Sequence, residues 1–180
     1  MQNNSNLFFL WGMMGSGKSY WAYHLSKKLN LNYLDTDNLI ENKMQLTTAQ
    51  IFEKFGERFF REKEQSILHD VVHKTKTPTI VATGGGLPCF FDNAQVMNNN
   101  GISFFLNTNV NIIAERVFKQ IDKRPLLKNF STVEDVEVFL SAKIEERLPF
   151  YKQATFTLNQ NQINEANFIQ IITKYAKHEL

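Results

Sequence analysis

The sequence predicts an α/β fold in which a five-stranded parallel sheet is flanked by helices on both faces. Three features lead there. Five short runs are continuously apolar or nearly so: Leu7–Trp11, Asn32–Asp35, Thr79–Ala82, Ile102–Leu106 and Thr155–Leu158. Continuous rather than alternating apolar character marks strands buried on both faces, the usual state of parallel sheets. Longer segments of helical spacing separate these runs, and strand–helix–strand repetition is the pattern of parallel crossover connections.

The elements follow in order. Leu7–Trp11 leads into Gly12-Met-Met-Gly-Ser-Gly-Lys-Ser19, and a helix is expected over Ser19–Leu29, bounded by the glycine loop and Asn30. Thr47 followed by Gln50 is a capping-box pattern opening a helix that stops at Gly56. Glu57–Lys74 continues with Phe60, Ile67, Leu68, Val71 and Val72 on one side. Asn98-Asn-Asn100 before Gly101 reads as a helix end and turn. Asn109 is positioned to cap a helix through Ala114 toward Phe118, and Ser131 with Glu134 to cap another toward Arg147. From Asn164 the tail carries Phe168, Ile171, Ile172 and Tyr175 at helical spacing. The stretch of about 119–131, KQIDKRPLLKNFS, interrupts the rhythm between two helices; it reads as a solvated loop or as a cover over a site.

Composition narrows the class. A chain of 180 residues fits one domain, and a net charge of +2 gives no electrostatic case for nucleic acid. Its single cysteine, Cys89, excludes an internal disulfide. No stretch approaches the ~20 apolar residues of a membrane span, and the apolar start lacks a basic leader region. The expectation is a cytoplasmic monomer that binds neither nucleic acid nor membrane.

Gly12-x-x-x-x-Gly17-Lys18-Ser19 carries the chemistry most directly, since it matches the P-loop pattern between a strand and a helix. Glycine-rich backbone offers several N–H donors at close range, and a helix N-terminus adds a favourable dipole for phosphate. Lys18 is expected on the β- and γ-phosphates of a nucleotide, and Ser19 on Mg²⁺. Asp35 and Asp37 close the second strand on the same sheet edge, outside which ligands of open α/β sheets bind. One is expected to serve the metal, which points to Asp35, and the other an acceptor hydroxyl, although Asp37 is also placed to cap the next helix. Gly84, Gly85 and Gly86 follow the third strand and clear side chains from that edge, leaving N–H groups to approach a small polar molecule. Arg61 and Glu64 stand one helical turn apart, Arg124 sits in the candidate lid, and Arg147 precedes Leu148-Pro149-Phe150-Tyr151 at the end of its helix.

Taken together, GMMGSGKS, YLDTDNLIE, IFEKFGERFFREKE, TGGG, RPLL and ERLPFY resemble the shikimate kinase family in order and approximate spacing, from the first strand to about Ala154. The resemblance implies a P-loop NTPase fold like that of nucleoside-monophosphate kinases, in one domain (1–180). A short lid lies at about 119–131 and a substrate-binding helical segment at about 37–74. It implies transfer of the γ-phosphoryl group of ATP, with Mg²⁺, to the 3-hydroxyl of shikimate, a step toward chorismate and the aromatic amino acids. By matching motif, Gly12, Gly15, Ser16, Gly17, Lys18, Ser19, Tyr20 and Arg124 bind ATP, with Lys18, Asp37 and Arg124 catalytic. Asp37, Arg61, Gly84, Gly85, Gly86 and Arg147 bind shikimate, Glu64 orients Arg61, and Ser19 and Asp35 serve the metal. The family's adenine-stacking arginine falls on Val117, with Arg116 one position earlier and Lys119 nearby; an adenine loop is placed at Asn159–Asn161. Tyr20 and Trp21 are bulkier than the residues common there. The readings weighed against this one are a gluconate-kinase-like enzyme, a nucleoside-monophosphate kinase, and an ATP-binding module without transferase activity.

Overall fold

Strand order in the sheet is β2-β3-β1-β4-β5, every neighbouring pair parallel. The strands are β1 Leu7–Trp11, β2 Asn32–Asp35, β3 Thr79–Ala82, β4 Ile102–Asn107 and β5 Phe156–Asn159. This computed structural model describes residues 5–121, 127 and 129–176. Arg124 and Pro125 of the candidate lid lie outside the described residues.

The helices are α1 Lys18–Lys28, α2 Thr36–Met44, α3 Thr48–Lys74, α4 Asn93–Asn100, α5 Val110–Phe118, α6 Val133–Tyr151 and α7 Glu165–Tyr175. Short 3-10 turns follow β3 (Leu87–Cys89) and β5 (Gln160–Gln162). The helix break expected at Gly56 is present as a kink inside α3, where Gly56 has φ 79° and ψ 172°. Thr47 and Gln50 form the reciprocal capping box.

Other caps differ from expectation. Asp35, not Asp37, caps α2, accepting from the N–H groups of Asp37 and Asn38. Thr132 caps α6 by accepting from Asp135 N–H at 3.1 Å, in place of the Ser131–Glu134 pair. Asn109 stands at the start of α5 but makes no side-chain cap. Arg147 does not end its helix: α6 runs one further turn through Pro149 to Tyr151.

Alternation along β1 divides the core. Leu7, Phe9 and Trp11 join Val81 against Ile40 of α2, Ile51, Phe60, Ile67, Leu68 and Val71 of α3, and Ala94 and Met97 of α4. Phe8 and Leu10 point to the other face, where β4 residues Ile102, Phe104 and Leu106 meet Ala22 and Leu25 of α1 and Phe168 and Ile172 of α7. A third cluster joins the P-loop residue Met13 to α5 and α6 through Ile113, Ala114, Val117, Val136 and Leu140. Leu127 is fully buried in it, with Ile121 and Phe130 packed alongside, so these described residues of the 119–131 stretch lie against apolar neighbours.

Continuous burial holds for β1 and β3, and for β4 up to Leu106. β2 and β5 are only partly buried, because they form the two sheet edges. With all strands parallel, their carboxyl ends open on one edge, where Gly12, Asp35, Thr83 and Thr108 begin the loops.

Gly101 marks how closely α4 is drawn onto β1. A Cβ there would lie 2.6 Å from both the Leu7 carbonyl oxygen and Phe9 Cε2. Gly101→Ala is therefore expected to cost about 1–3 kcal/mol, read as a lower urea midpoint with unchanged slope.

Candidate active site

The P-loop turns back on itself between β1 and α1. Gly15 and Gly17 have φ values of 79° and 98°, a region that side-chain-bearing residues rarely adopt. The Lys18 ammonium donates to the carbonyls of Gly12 and Met13, both at 2.9 Å, and is buried beneath the loop. Thr108 fastens the loop from the β4 side by donating to the Ser16 carbonyl at 3.1 Å. The first turn of α1 adds main-chain N–H groups that have no helical acceptor.

Ser19 and Asp35 meet directly, the serine hydroxyl donating to Asp35 Oδ2 at 2.7 Å. The other carboxylate oxygen of Asp35 caps α2, so one side chain sets the helix and faces Ser19. Two hard oxygen donors suit Mg²⁺, which usually takes few protein ligands and completes its shell with phosphate and water. No group of three or more His, Cys, Asp or Glu among the described residues could hold a metal ion.

Next to this pair, two carboxylates converge on Gly84. A Cβ at Gly84 would lie 2.6 Å from Asp37 Oδ1 and 2.5 Å from Glu64 Oε1. Both oxygens are buried and have no hydrogen-bond partner. Burial, then repulsion from Asp35, pushes the Asp37 carboxyl up to about 6, against the pull of Lys18. Burial raises Glu64 to about 7, against the attraction of Arg61. Unsatisfied buried carboxylate oxygens are costly, and these two leave acceptor capacity beside the Gly84 turn.

Arg61 is 7% exposed and Glu64 1%, and their ion pair is 2.6 Å long. Arg61 also donates from Nε and Nη2 to Glu57 at 3.1 and 2.8 Å. The pair is therefore buried, with its charges desolvated, and Glu64 is placed to orient Arg61. Arg147 approaches from α6, its Nη1 3.6 Å from where a Gly85 Cβ would stand and 3.5 Å from Met13 Sδ. Arg61 and Arg147 thus reach the glycine turn from opposite elements, α3 and α6.

The glycine triple works by absence of side chains more than by free N–H groups. Gly84 N–H donates to Thr36 Oγ1 at 2.9 Å, so that donor is already engaged. Gly86 lies so close to Arg61 that any Cβ would collide with Nη1. The buried Tyr151 hydroxyl donates to the Gly85 carbonyl at 2.6 Å, and its ring stacks on Phe105 at 5.0 Å. Thr36 and Tyr151 are supports that the motif reading passed over. Thr36 lies between the two aspartates, and Tyr151 ends ERLPFY, so both were in view as sequence but had no visible partner.

Among the nucleotide-side expectations, Tyr20 is 63% exposed and its ring stacks on His24 along the outside of α1. Val117 is fully buried against Gly15, which excludes it as a platform for a base. Arg116 instead donates to the Gly15 carbonyl at 3.4 Å and borders Gly17, placing a guanidinium at the loop's rim. The Asn159–Asn161 loop is braced by a capping box from Asn159 to Gln162 and by Gln160 accepting from Asn109 N–H.

A P-loop, a paired hydroxyl and carboxylate, two acids each with one unpartnered oxygen, and two arginines now stand on one sheet edge. The shikimate kinase family model matches residues 14–177. The chain belongs to the shikimate kinase family. The shikimate kinase of Bacteroides thetaiotaomicron is 34% identical over 157 residues, covering 87% of this chain and 88% of that protein. That of Parabacteroides distasonis is 37% identical over 155 residues, 86% and 88% of the two chains. A crystal structure of the Bacteroides thetaiotaomicron shikimate kinase superposes with a TM-score of 0.83 at 31% identity, covering 93% of this chain and 96% of the other. The Acinetobacter baumannii shikimate kinase in complex with shikimate superposes with a TM-score of 0.80 at 32% identity, over 95% and 93%. Like other members of this kinase family, the chain is a phosphotransferase with an alcohol acceptor.

The raised acid at Asp37 has a stability consequence. Its folded value lies above the ordinary value of 3.8, so the folded state binds the proton more tightly than the unfolded chain. Stability from this group is full below about pH 4 and is lost as pH rises through about 6. Asp37→Asn is therefore expected to raise stability at pH 8 by up to about 3 kcal/mol. Urea midpoints compared at pH 4 and pH 8 check this, the gain shrinking toward pH 4.

Proposed function

We propose that this chain transfers the γ-phosphoryl group of ATP to the 3-hydroxyl of shikimate. The observation that carries the reading is the convergence of Asp37 Oδ1 and Glu64 Oε1, both unpartnered, over the Gly84 floor between Lys18 and two guanidinium groups. A polyhydroxylated cyclic acid supplies what that pocket lacks: hydroxyl donors for the acids and a carboxylate for the arginines.

In this reading ATP lies along Gly12 to Ser19, its phosphates met by loop N–H groups and by Lys18, with Arg116 at the rim beside the base. Ser19 and Asp35 hold Mg²⁺, which when bound neutralises charge on the β- and γ-phosphate oxygens. Arg61 and Arg147 hold the acceptor's carboxylate, and Glu64 fixes Arg61. Asp37 then receives the hydrogen bond of the acceptor hydroxyl. As the new P–O bond forms and the bond to the β-phosphate breaks, Asp37 takes the proton released by that hydroxyl. A carboxyl lifted to about 6 is better matched to this role than an ordinary aspartate. Lys18 stabilises charge on the leaving ADP, and most of the acceleration comes from positioning and charge stabilisation. Arg124 is placed here by motif alone, as a lid residue closing on the phosphoryl group. The protein is proposed to act as a single-domain cytoplasmic monomer.

Coupled ADP-release assays with shikimate and gluconate as acceptors test the substrate. Turnover with shikimate is expected, and turnover with gluconate alone overturns the reading. Asp37→Asn is expected to lower kcat by ~100-fold or more with KM for ATP retained. Arg147→Ala is expected to raise KM for shikimate about 10- to 100-fold while kcat changes less, as for loss of a charge-assisted hydrogen bond.

A further inference from the structure

Most of what holds Arg61 comes from its own helix. Glu57 and Glu64 engage its N–H groups, and the ring centroids of Phe60 and Phe52 lie 5.4 and 5.7 Å from the guanidinium carbon. All four partners are on α3, three of them on the same side of the Gly56 kink as Arg61, so they fix the side chain relative to that helix. An arginine that must meet a carboxylate jointly with Arg147, on α6, has to be located relative to the pocket as well. Among the described residues, two contacts reach it from another element. One is the backbone at Gly86, where a Cβ would stand 2.7 Å from the guanidinium carbon. The other is Phe90, whose ring centroid is 4.3 Å from that carbon, the shortest of the three aromatic distances.

Phe90 is carried by a tightly built segment. The 3-10 turn Leu87–Cys89 leaves the glycine triple, with Cys89 N–H donating to the Gly86 carbonyl at 2.8 Å. Fully buried Asn93 donates to the Leu87 carbonyl at 3.0 Å and ties the far end of the segment back. Phe91 has φ 54°, an unusual conformation for a bulky residue, and its own ring is left 55% exposed. Backbone strain of this kind persists where surrounding contacts over-determine it. The contacts here set Phe90 against the guanidinium while its neighbour turns to solvent.

We propose that Phe90 is a positioning residue for the acceptor's carboxylate: its ring holds the Arg61 guanidinium in register with Gly84–Gly86 and Arg147. This rests on the reading that Arg61 receives that carboxylate. A cation near an aromatic ring is attracted by the ring's quadrupole, most strongly where water is excluded, as it is around Arg61. A planar ring also limits the tilt of a planar fork, which a branched aliphatic side chain of similar bulk does not.

Steady-state kinetics on the full chain test this. Phe90→Leu is expected to raise KM for shikimate about three- to thirtyfold, with kcat and KM for ATP within about twofold of wild type. Phe90→Tyr is expected to restore the wild-type value, since the ring is retained. In an Arg61→Lys background, Phe90→Leu is expected to add nothing, because the fork it positions is gone. An unmoved KM for shikimate in Phe90→Leu overturns the proposal, as does an undiminished extra loss in the Arg61→Lys background. Phe90→Met takes the place of Phe90→Leu should the latter fail to fold. Failure of the underlying reading looks different: wild type without shikimate turnover, or Arg61→Lys with an unchanged KM for shikimate, removes Arg61 as the carboxylate holder and Phe90 with it.

Discussion

The site depends on how little occupies the turn after β3. Asp37 and Glu64 can close over Gly84, and Arg61 can lie against Gly86, only because neither position bears a Cβ. The same emptiness would leave the backbone loose, and three side chains prevent that. Thr36 holds the N–H of Gly84, Tyr151 holds the carbonyl of Gly85, and Arg61 packs on Gly86. These come from α2, α6 and α3, so the turn is the junction at which three helices are indexed to the sheet. A methyl group at Gly84 or Gly86 would displace charged groups, which is more disruptive than displacing an apolar neighbour.

Concentrating charge at that junction has an energetic cost. Asp37 and Glu64 each leave an oxygen unpartnered in a buried setting, and both carboxyls are lifted well above ordinary values. Arg61 offsets part of this through its 2.6 Å contact with Glu64. Removing either member of that pair would strand the other, typically at ~3–5 kcal/mol. Groups tuned toward neutral pH by burial are the kind that proton transfer requires, so in the proposed reading local destabilisation and chemical competence have one origin. The core under the sheet supplies the rigidity that tolerates it, with Phe8, Phe9, Leu10 and Trp11 fully buried directly below the loop.

Much of the fold was legible in the sequence because local signals and burial agreed. β1, β2 and β3 have the expected bounds, and the Thr47–Gln50 cap and the break at Gly56 are encoded within a few residues. What was not legible depended on partners far along the chain. Nothing in residue 109 reveals that Gln160, 51 positions on, engages its N–H. The site shows the same division. Lys18, Asp37, Arg61 and Arg147 were identifiable by motif, and the fold brings them to one edge. Phe90, Glu57, Thr36 and Tyr151 were not, since an isolated aromatic or threonine has no distinguishing neighbour until the chain folds. Strand order, too, is written in no local pattern of residues.

Lys18 shows what binding a nucleotide entails. Its ammonium already holds two carbonyls of its own loop, those of Gly12 and Met13. The loop thereby keeps its curvature by self-ligation, with the lysine bracing the ring of backbone that surrounds it. In the proposed reading, arrival of a polyphosphate on Lys18 is an exchange of acceptors more than a gain of them. The net enthalpy of that exchange is smaller than a count of new contacts suggests. In return, the cradle needs little reorganisation before the phosphates enter, and the entropy of shaping it has been met during folding.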